Sequence, residues 1–462
     1  MVMFDMLIQN GKVVFPDKVQ TTNIGVKDGR IVAIGAELAG ADSVIDAAGQ
    51  YVFPGMIDVH VHFSDPGRDY WEGFCTGSQM MAAGGVTTFF DMPLNGIPST
   101  VNKEALYLKS DRGKAESYTD FALWGGLVPG NEEDLAELAE EGVIGFKAFL
   151  STTGNKEFEN VDDITLLNGM KIIAGLGKVL ALHSESGPIT DWLAARKIEA
   201  GHVTADDYLE TRPVAAEAEA VQRALYYAEV TGCPLHFVHI SSHEAITKIE
   251  EAKKKGMDVT VETCPHYLLF NHEALREYGP VAKCAPPLRK QDEQEKLIKL
   301  LIDQKFDMIS SDHSPCTSDL KDSAVYNIFQ AWGGISGGQF SFLSMMELAL
   351  KYEIPFEQIA NITALNPAER FGLKAKGKIA EGYDADFILV STDEPFTVSE
   401  DNFFAKNKIS LYIGHTFPCR INSTINRGKL LFHDGRIQAA GPEGEWIKPV
   451  QQIEIKSYTK SV

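Results

Sequence analysis

Pro54-Gly55-Met56-Ile57-Asp58-Val59-His60-Val61-His62 opens the central part of the chain as an apolar strand ending in two histidines. Alternate side chains of a strand share a face, so His60 and His62 point the same way. Two imidazoles on one face at a strand end can hold a divalent metal, or can be buried histidines satisfied by hydrogen bonds. The pair alone does not choose between these.

Working outward, apolar strands alternate with helical stretches. Val86-Thr87-Thr88-Phe89-Phe90 precedes a helical region near 102–115, and Phe121-Ala122-Leu123-Trp124-Gly125-Gly126 precedes an acidic helix at 131–141. Ile144-Gly145-Phe146-Lys147-Ala148-Phe149 leads into a helix at 162–176, and Val179-Leu180-Ala181-Leu182-His183 into another. The segments 235–239, 258–263 and 308–312 continue the series. Wholly apolar strands alternating with helices mean a parallel sheet buried on both faces. Residues 54–375 are too long for most single open sheets, so the expected fold class is α/β, a (β/α)8 TIM-like barrel. Residues 1–53 read instead as short strands separated by Asn10-Gly11 and Asp28-Gly29, dipeptides that favour tight hairpins. A similar signature returns at 376–445. The two ends are expected to pair into one small β-sandwich, or else to form two unrelated hairpin caps. A tail, 446–462, reads as a docking arm.

The 462 residues carry 43 basic and 64 acidic side chains, a formal charge of −21. With no basic stripe to offset that excess, nucleic acid and anionic membrane are excluded as expected partners. The six cysteines (75, 233, 264, 284, 316, 419) form no CxxC pair and fit reduced thiols. The N-terminus lacks a signal-peptide pattern and no apolar run is long enough to span a bilayer, so a soluble, cytoplasmic protein is expected.

Three further candidate ligands close predicted strands: His183, His239 and Asp312. Barrel side chains converge at that end, where active sites form. Each could be a satisfied polar group, but that account must be invoked separately for each of the five residues. Five nitrogen and oxygen ligands exceed the first shell of one ion. Lys147 is the odd member, because a buried ammonium is costly and would repel cations. Burial favours the neutral amine, which can take up carbon dioxide as a carbamate able to bridge two metals. Otherwise its head snorkels past the strand end.

The segments Asp58-Val59-His60-Val61-His62, Gly145-Phe146-Lys147, Leu182-His183-Ser184-Glu185, Val238-His239-Ile240-Ser241 and Ser311-Asp312-His313-Ser314-Pro315 together resemble the cyclic amidohydrolases. The likeness covers nearly the whole chain, with the motifs in the family's order. It implies a barrel, a terminal β-sandwich and two divalent ions, zinc first with cobalt or manganese as substitutes. By that resemblance His60, His62 and Asp312 hold one ion and His183 and His239 the other, with carboxylated Lys147 shared. Asp312 is then also the catalytic acid–base, passing a proton from the nucleophilic water to the departing nitrogen. Relatives are often tetramers, so a homo-oligomer is expected.

Substrate choice is read from departures. Dihydroorotases usually place an arginine two residues after the second histidine, where this chain has Ser64. Dihydropyrimidinases usually place a tyrosine five residues after the bridging lysine, where this chain has Thr152. The stretches 66–74, 91–100, 283–289 and 312–316 resemble instead the branch that opens a small cyclic ureide. The expected reaction is hydrolysis of allantoin to allantoate in ureide breakdown, with groups near Asn95, Cys284 and Ser314 holding the substrate. The alternatives are a hydantoinase or dihydropyrimidinase and, from another class, a non-catalytic assembly protein on the same fold. The loops 151–162 and 314–326 are candidate lids.

Overall fold

The computed structural model describes residues 3–449, so residues 450–462 of the expected tail lie outside the described residues. In chain order the strands begin with β1 (Phe4–Val14), β2 (Val19–Lys27), β3 (Arg30–Gly35), β4 (Ala41–Asp46) and β5 (Tyr51–Pro54). The central strands are β6 (Met56–Val61), β7 (Val86–Asp91), β8 (Asp120–Leu123), β9 (Gly125–Gly126), β10 (Phe146–Phe149), β11 (Leu180–His183), β12 (Leu235–Phe237), β13 (Val259–Thr263) and β14 (Met308–Ile309). The last are β15 (Phe387–Ser391), a short ribbon of β16 (Phe396–Thr397) and β17 (Thr416–Phe417), then β18 (Arg420–Asn426), β19 (Lys429–His433) and β20 (Arg436–Ile437).

The central strands are parallel neighbours in sequence order, β6-β7-β8 and β9-β10-β11-β12-β13-β14. Every residue of β6, β7, β8 and β11 is buried, as strands with covered faces must be. β8 and β9 are one strand interrupted at Trp124, where the chain leaves β7 for β10. The ring closes where Val61 bridges His313 and the His62 N–H donates to the His313 carbonyl at 2.8 Å. Asp58 completes that seam by accepting the Ser311 N–H at 3.1 Å from a residue 253 positions away. Counting β8–β9 as one gives the barrel its eight staves.

The two chain ends form a nine-stranded sheet, β20-β19-β18-β15-β5-β1-β2-β3, with β4 beside β1. The join is β5 against β15, antiparallel, so the pairing of distant ends is realised and the two-cap alternative is not. The far edge bends back: the Ile31 N–H donates to the Tyr383 carbonyl and the Ala385 N–H to the Gly29 carbonyl. That curl encloses a separate apolar core of Ile8, Val13, Ile24, Val52, Phe387 and Ile425.

One turn expectation is corrected. Asn10 does adopt positive φ (60°), but Asn10-Gly11 is no hairpin. It lies within β1 as a register shift against β2. The physical reason is packing: a Cβ on Gly11 would lie 2.5 Å from Val52, so this glycine lets β5 approach. Asp28-Gly29 does make the hairpin between β2 and β3. The described part of the tail runs beside β8, with Trp446 bridging Phe121.

Barrel and terminal sheet meet on a buried charge cluster. Lys376 lies 2.7 Å from both Asp120 and Asp386 and 3.2 Å from Asp384. Burial alone would depress its pKa, but the three carboxylates raise it above its ordinary value. Removing one partner of such a cluster strands the others in a dry site. Lys376→Met is expected to cost about 3–5 kcal/mol, read as a fall in the urea unfolding midpoint, whereas Lys374→Met should leave that midpoint in place.

Candidate metal centre

β6 delivers His60 from inside the strand and His62 just past its end. β10 delivers Lys147, and β11 ends on His183. His239 and Asp312 lie beyond the ends of β12 and β14, and both take positive φ, 39° and 46°. For side chains other than glycine that conformation is strained, and such strain concentrates at functional sites. The sequence placed both residues on strand ends; the structure ends the strands earlier, at Phe237 and Ile309, and carries both residues on the chain beyond.

The donor atoms fall into two groups. The Nε2 atoms of His60 and His62 each lie 3.2 Å from Asp312 Oδ1. His183 Nδ1 lies 3.0 Å from His239 Nε2. The groups adjoin, because donor atoms of His60, His239 and Asp312 all lie within 4.8 Å of one another. Lys147 is fully buried, and its Nζ has no hydrogen-bond partner in the described structure. Burial brings its pKa down to about 7, and its charge in turn opposes protonation of His60, His183 and His239.

Two carboxylates decide where the imidazole protons sit. Glu262 Oε1 is 2.7 Å from His60 Nδ1, and Glu185 Oε2 is 3.1 Å from His183 Nε2. Burial drives His60 down to about 4 and lowers His183 as well, so both rings are neutral near pH 7. A neutral imidazole has one N–H, and each carboxylate claims it. His60 Nε2 and His183 Nδ1 are left as bare acceptors. Burial would raise Asp312, but the imidazoles beside it hold it at about 2. Acceptors therefore converge on acceptors, an arrangement that divalent cations satisfy. Imidazole and carboxylate donors suit zinc and its neighbours, and carboxylates behind the rings are the usual means of fixing ligand orientation.

Sequence reasoning missed Glu262 and Glu185 as partners of the histidines. Glu262 was legible on the same ground as Lys147, as a charge inside a strand covered on both faces. It also accepts from His236 Nε2 at 3.0 Å. Glu185 is paired in turn with the Arg212 guanidinium, which nothing in the local sequence announces.

The three residues expected near the substrate are all buried, and part of their backbone is already engaged. The Ser314 N–H donates to Ile335, the Cys284 carbonyl accepts from Tyr208 at 2.9 Å, and the Asn95 carbonyl accepts from Arg68 at 3.4 Å. Burial pushes the Cys284 thiol up to about 12, so it stays protonated.

Residues 51–431 match the model of the amidohydrolase family. The chain belongs to that family. Within it, the chain is 52% identical over 447 residues to an allantoinase of Bacillus velezensis, covering 96% of this chain and 98% of that one. It is 44% identical to an allantoinase of Rubrobacter xylanophilus, covering 97% and 98%. Among solved structures it resembles the L-hydantoinase (dihydropyrimidinase) of Arthrobacter aurescens, with TM-score 0.94, 30% identity and coverage of 96% and 100%. The resemblance read from the motifs is thereby borne out, as is the barrel with its terminal sheet. No helix among the described residues is long and apolar enough to cross a membrane.

Lys147 gives a prediction for the metal-free protein. Its folded pKa lies below the ordinary 10.5, so the unfolded chain binds this proton more tightly. The resulting penalty is full at and below pH 7 and fades as pH rises toward 10.5. Metal-free Lys147→Met should therefore unfold at a higher temperature than the metal-free parent at pH 6.5, with the gap closing by pH 10. A lysine that stabilises the barrel by packing or pairing would give the opposite order.

Proposed function

We propose that this chain opens the cyclic amide of allantoin by hydrolysis, giving allantoate, with a two-metal centre held by His60, His62, Lys147, His183, His239 and Asp312. The observation that carries the substrate is the full-length likeness to allantoinases at 52% identity. The convergence of unprotonated acceptors around Lys147 supports the centre. In this reading His60, His62 and Asp312 would hold one divalent ion and His183 and His239 the other, with Lys147, as its carbamate, contributing to both. Zinc suits the donor set best, with cobalt or manganese able to replace it. When bound, such ions supply Lewis-acid activation of water and of the amide carbonyl.

The chain's own residues do the rest. Asp312, ionised and directed at the centre, takes a proton from the attacking water and returns it to the ring nitrogen as the C–N bond breaks. Glu262 and Glu185 keep the His60 and His183 protons on their outer nitrogens, so the inner ones stay available. The neutral amine that burial favours at Lys147 is the form that adds carbon dioxide. Asn95, Cys284 and Ser314 hold the ureide through the polar groups the fold leaves free. Assembly as a homotetramer belongs to the same reading, as do the cytoplasm as its place of action and the division into 1–53 with 376–445, 54–375 and 446–462.

A hydantoinase reading is favoured by one observation, the 0.94 TM-score to the Arthrobacter enzyme. The two separate in a parallel assay of allantoin, hydantoin, dihydrouracil and dihydroorotate with metal-loaded protein. Allantoin is expected to turn over fastest; turnover confined to hydantoin would reject the proposal. Chelation of the metals, or Lys147→Ala, should abolish turnover, and metal analysis of the parent should return about two ions per chain. A chain that binds no divalent ion and leaves every ring intact would be an assembly protein instead.

A further inference from the structure

The motif Arg68-Asp69-Tyr70-Trp71-Glu72-Gly73 carries a glutamate that the reaction described above does not use. Glu72 is completely buried, as is His313, the residue after Asp312. His313 Nε2 lies 3.3 Å from Glu72 Oε2, and the other Glu72 oxygen accepts the Lys406 N–H at 3.0 Å. The Gly338 N–H donates to His313 Nδ1 at 3.3 Å. A backbone N–H can only donate, so Nδ1 is the bare nitrogen and Nε2 carries the proton given to Glu72. The ring's tautomer is set from both sides.

The His313 backbone is equally committed. Its N–H donates to Ser311 Oγ at 3.1 Å, and its carbonyl accepts from His62 N at 2.8 Å. It bridges Val61 on one side and Ile335 on the other. Asp312, between Ser311 and His313, must hold φ at 46° to aim its carboxylate at His60 and His62. Ser311 is tied on one flank, by Asp58 accepting its N–H. On the other flank the His313 ring is anchored at both nitrogens, by Glu72 at Nε2 and by the Gly338 N–H at Nδ1, and of these two only Glu72 is a side chain.

We infer that Glu72 and His313 form a positioning pair that holds Asp312 in its strained conformation and sets the aim of the proton-transferring carboxylate. Neither side chain contacts the reacting atoms; both act through Asp312 and the His62 backbone. The inference rests on the allantoin reading for its kinetic test, and on geometry alone for its spectroscopic one.

The first test is 15N NMR of imidazole-labelled, metal-free protein, which should show His313 with Nδ1 unprotonated. A protonated Nδ1 overturns the pair. The second is steady-state kinetics of metal-loaded variants. Glu72→Gln is expected to lower kcat on allantoin by about 10–100-fold, the usual cost of losing an outer partner, with KM nearly unchanged. His313→Gln, whose amide N–H still reaches Glu72, should retain more kcat than His313→Phe. Native kcat in Glu72→Gln, or equal kcat in the Gln and Phe variants, overturns the inference. Should Glu72→Gln fail to fold, the contrast between the two His313 variants decides. Should the native protein leave allantoin intact, the functional reading fails, and the NMR tautomer still decides for or against the pair.

Discussion

The closure of β14 onto β6 is the constraint on which the rest depends. It rests on few bonds: the Val61–His313 bridge, the His62 N–H to the His313 carbonyl, and the Ser311 N–H to Asp58. Without them the first and last staves would be free edges, which a barrel exists to remove. The same bonds bring the histidines of the first strand against the aspartate following the last. Asp58 is buried at that seam, and burial raises its pKa to about 7 despite the N–H groups pointed at it. A polar group at a seam is costly unless satisfied. Here it spends its oxygens on Ser311 and His60 backbone N–H groups, so closing the barrel and shaping the site are one event.

A second consequence concerns charge. The barrel's end gathers the neutral imidazoles of His60 and His183, an ionised aspartate and an amine held near neutrality by burial. Glu262 and Glu185 stand behind them with their own pKa values held low, despite burial, by the imidazoles and the Arg212 guanidinium. The polarity is therefore layered: acceptors inward, protons next, carboxylates behind, and for Glu185 an arginine behind that. Such a gradient has no purpose in a core built for stability, where apolar residues of similar volume would serve better. It is what a site for cations requires, because their charge balances the inner layer.

Much of this was legible in the sequence, for identifiable reasons. Strands covered on both faces admit almost only apolar residues, so His60, Lys147, His183 and Asp312 stood out as interruptions at predictable depths. The period of a strand then put His60 and His62 on one face without any knowledge of the fold. The shared short-strand pattern of the chain ends allowed their pairing without excluding two separate caps, and the β5–β15 pairing decides it. What escaped reading depended on contacts between distant segments. Asn10-Gly11 has the local chemistry of a hairpin and the required positive φ, yet β5, which pairs alongside β1 at this point, makes it a bulge. Glu185 was quoted inside its motif, but its partner Arg212 lies 27 residues further along the same crossover between β11 and β12. Glu72 sits in an ordinary-looking loop, and only tertiary structure lays it against His313.

The distribution of strain follows the same logic. His239 and Asp312, the two residues with left-handed backbone at the centre, come from strands that end early, at Phe237 and Ile309. A regular strand would carry its next side chains alternately inward and outward at fixed angles. Ending the strand and reversing φ at a single residue lets the barrel aim a side chain obliquely across its mouth. The cost is about 1–3 kcal/mol at each position, and it is sustained only because both flanks are fastened. For Asp312 the fasteners are Asp58 through Ser311 on one side and the His313 contacts on the other. For His239 the Glu262 carboxylate receives its N–H at 3.4 Å, while Ile240 donates to the Glu262 carbonyl. Glu262 thus secures the backbone of one histidine and the ring of another, His60. A single carboxylate on β13 couples the two halves of the centre, so their spacing is set by the barrel strand itself rather than by the loops above it.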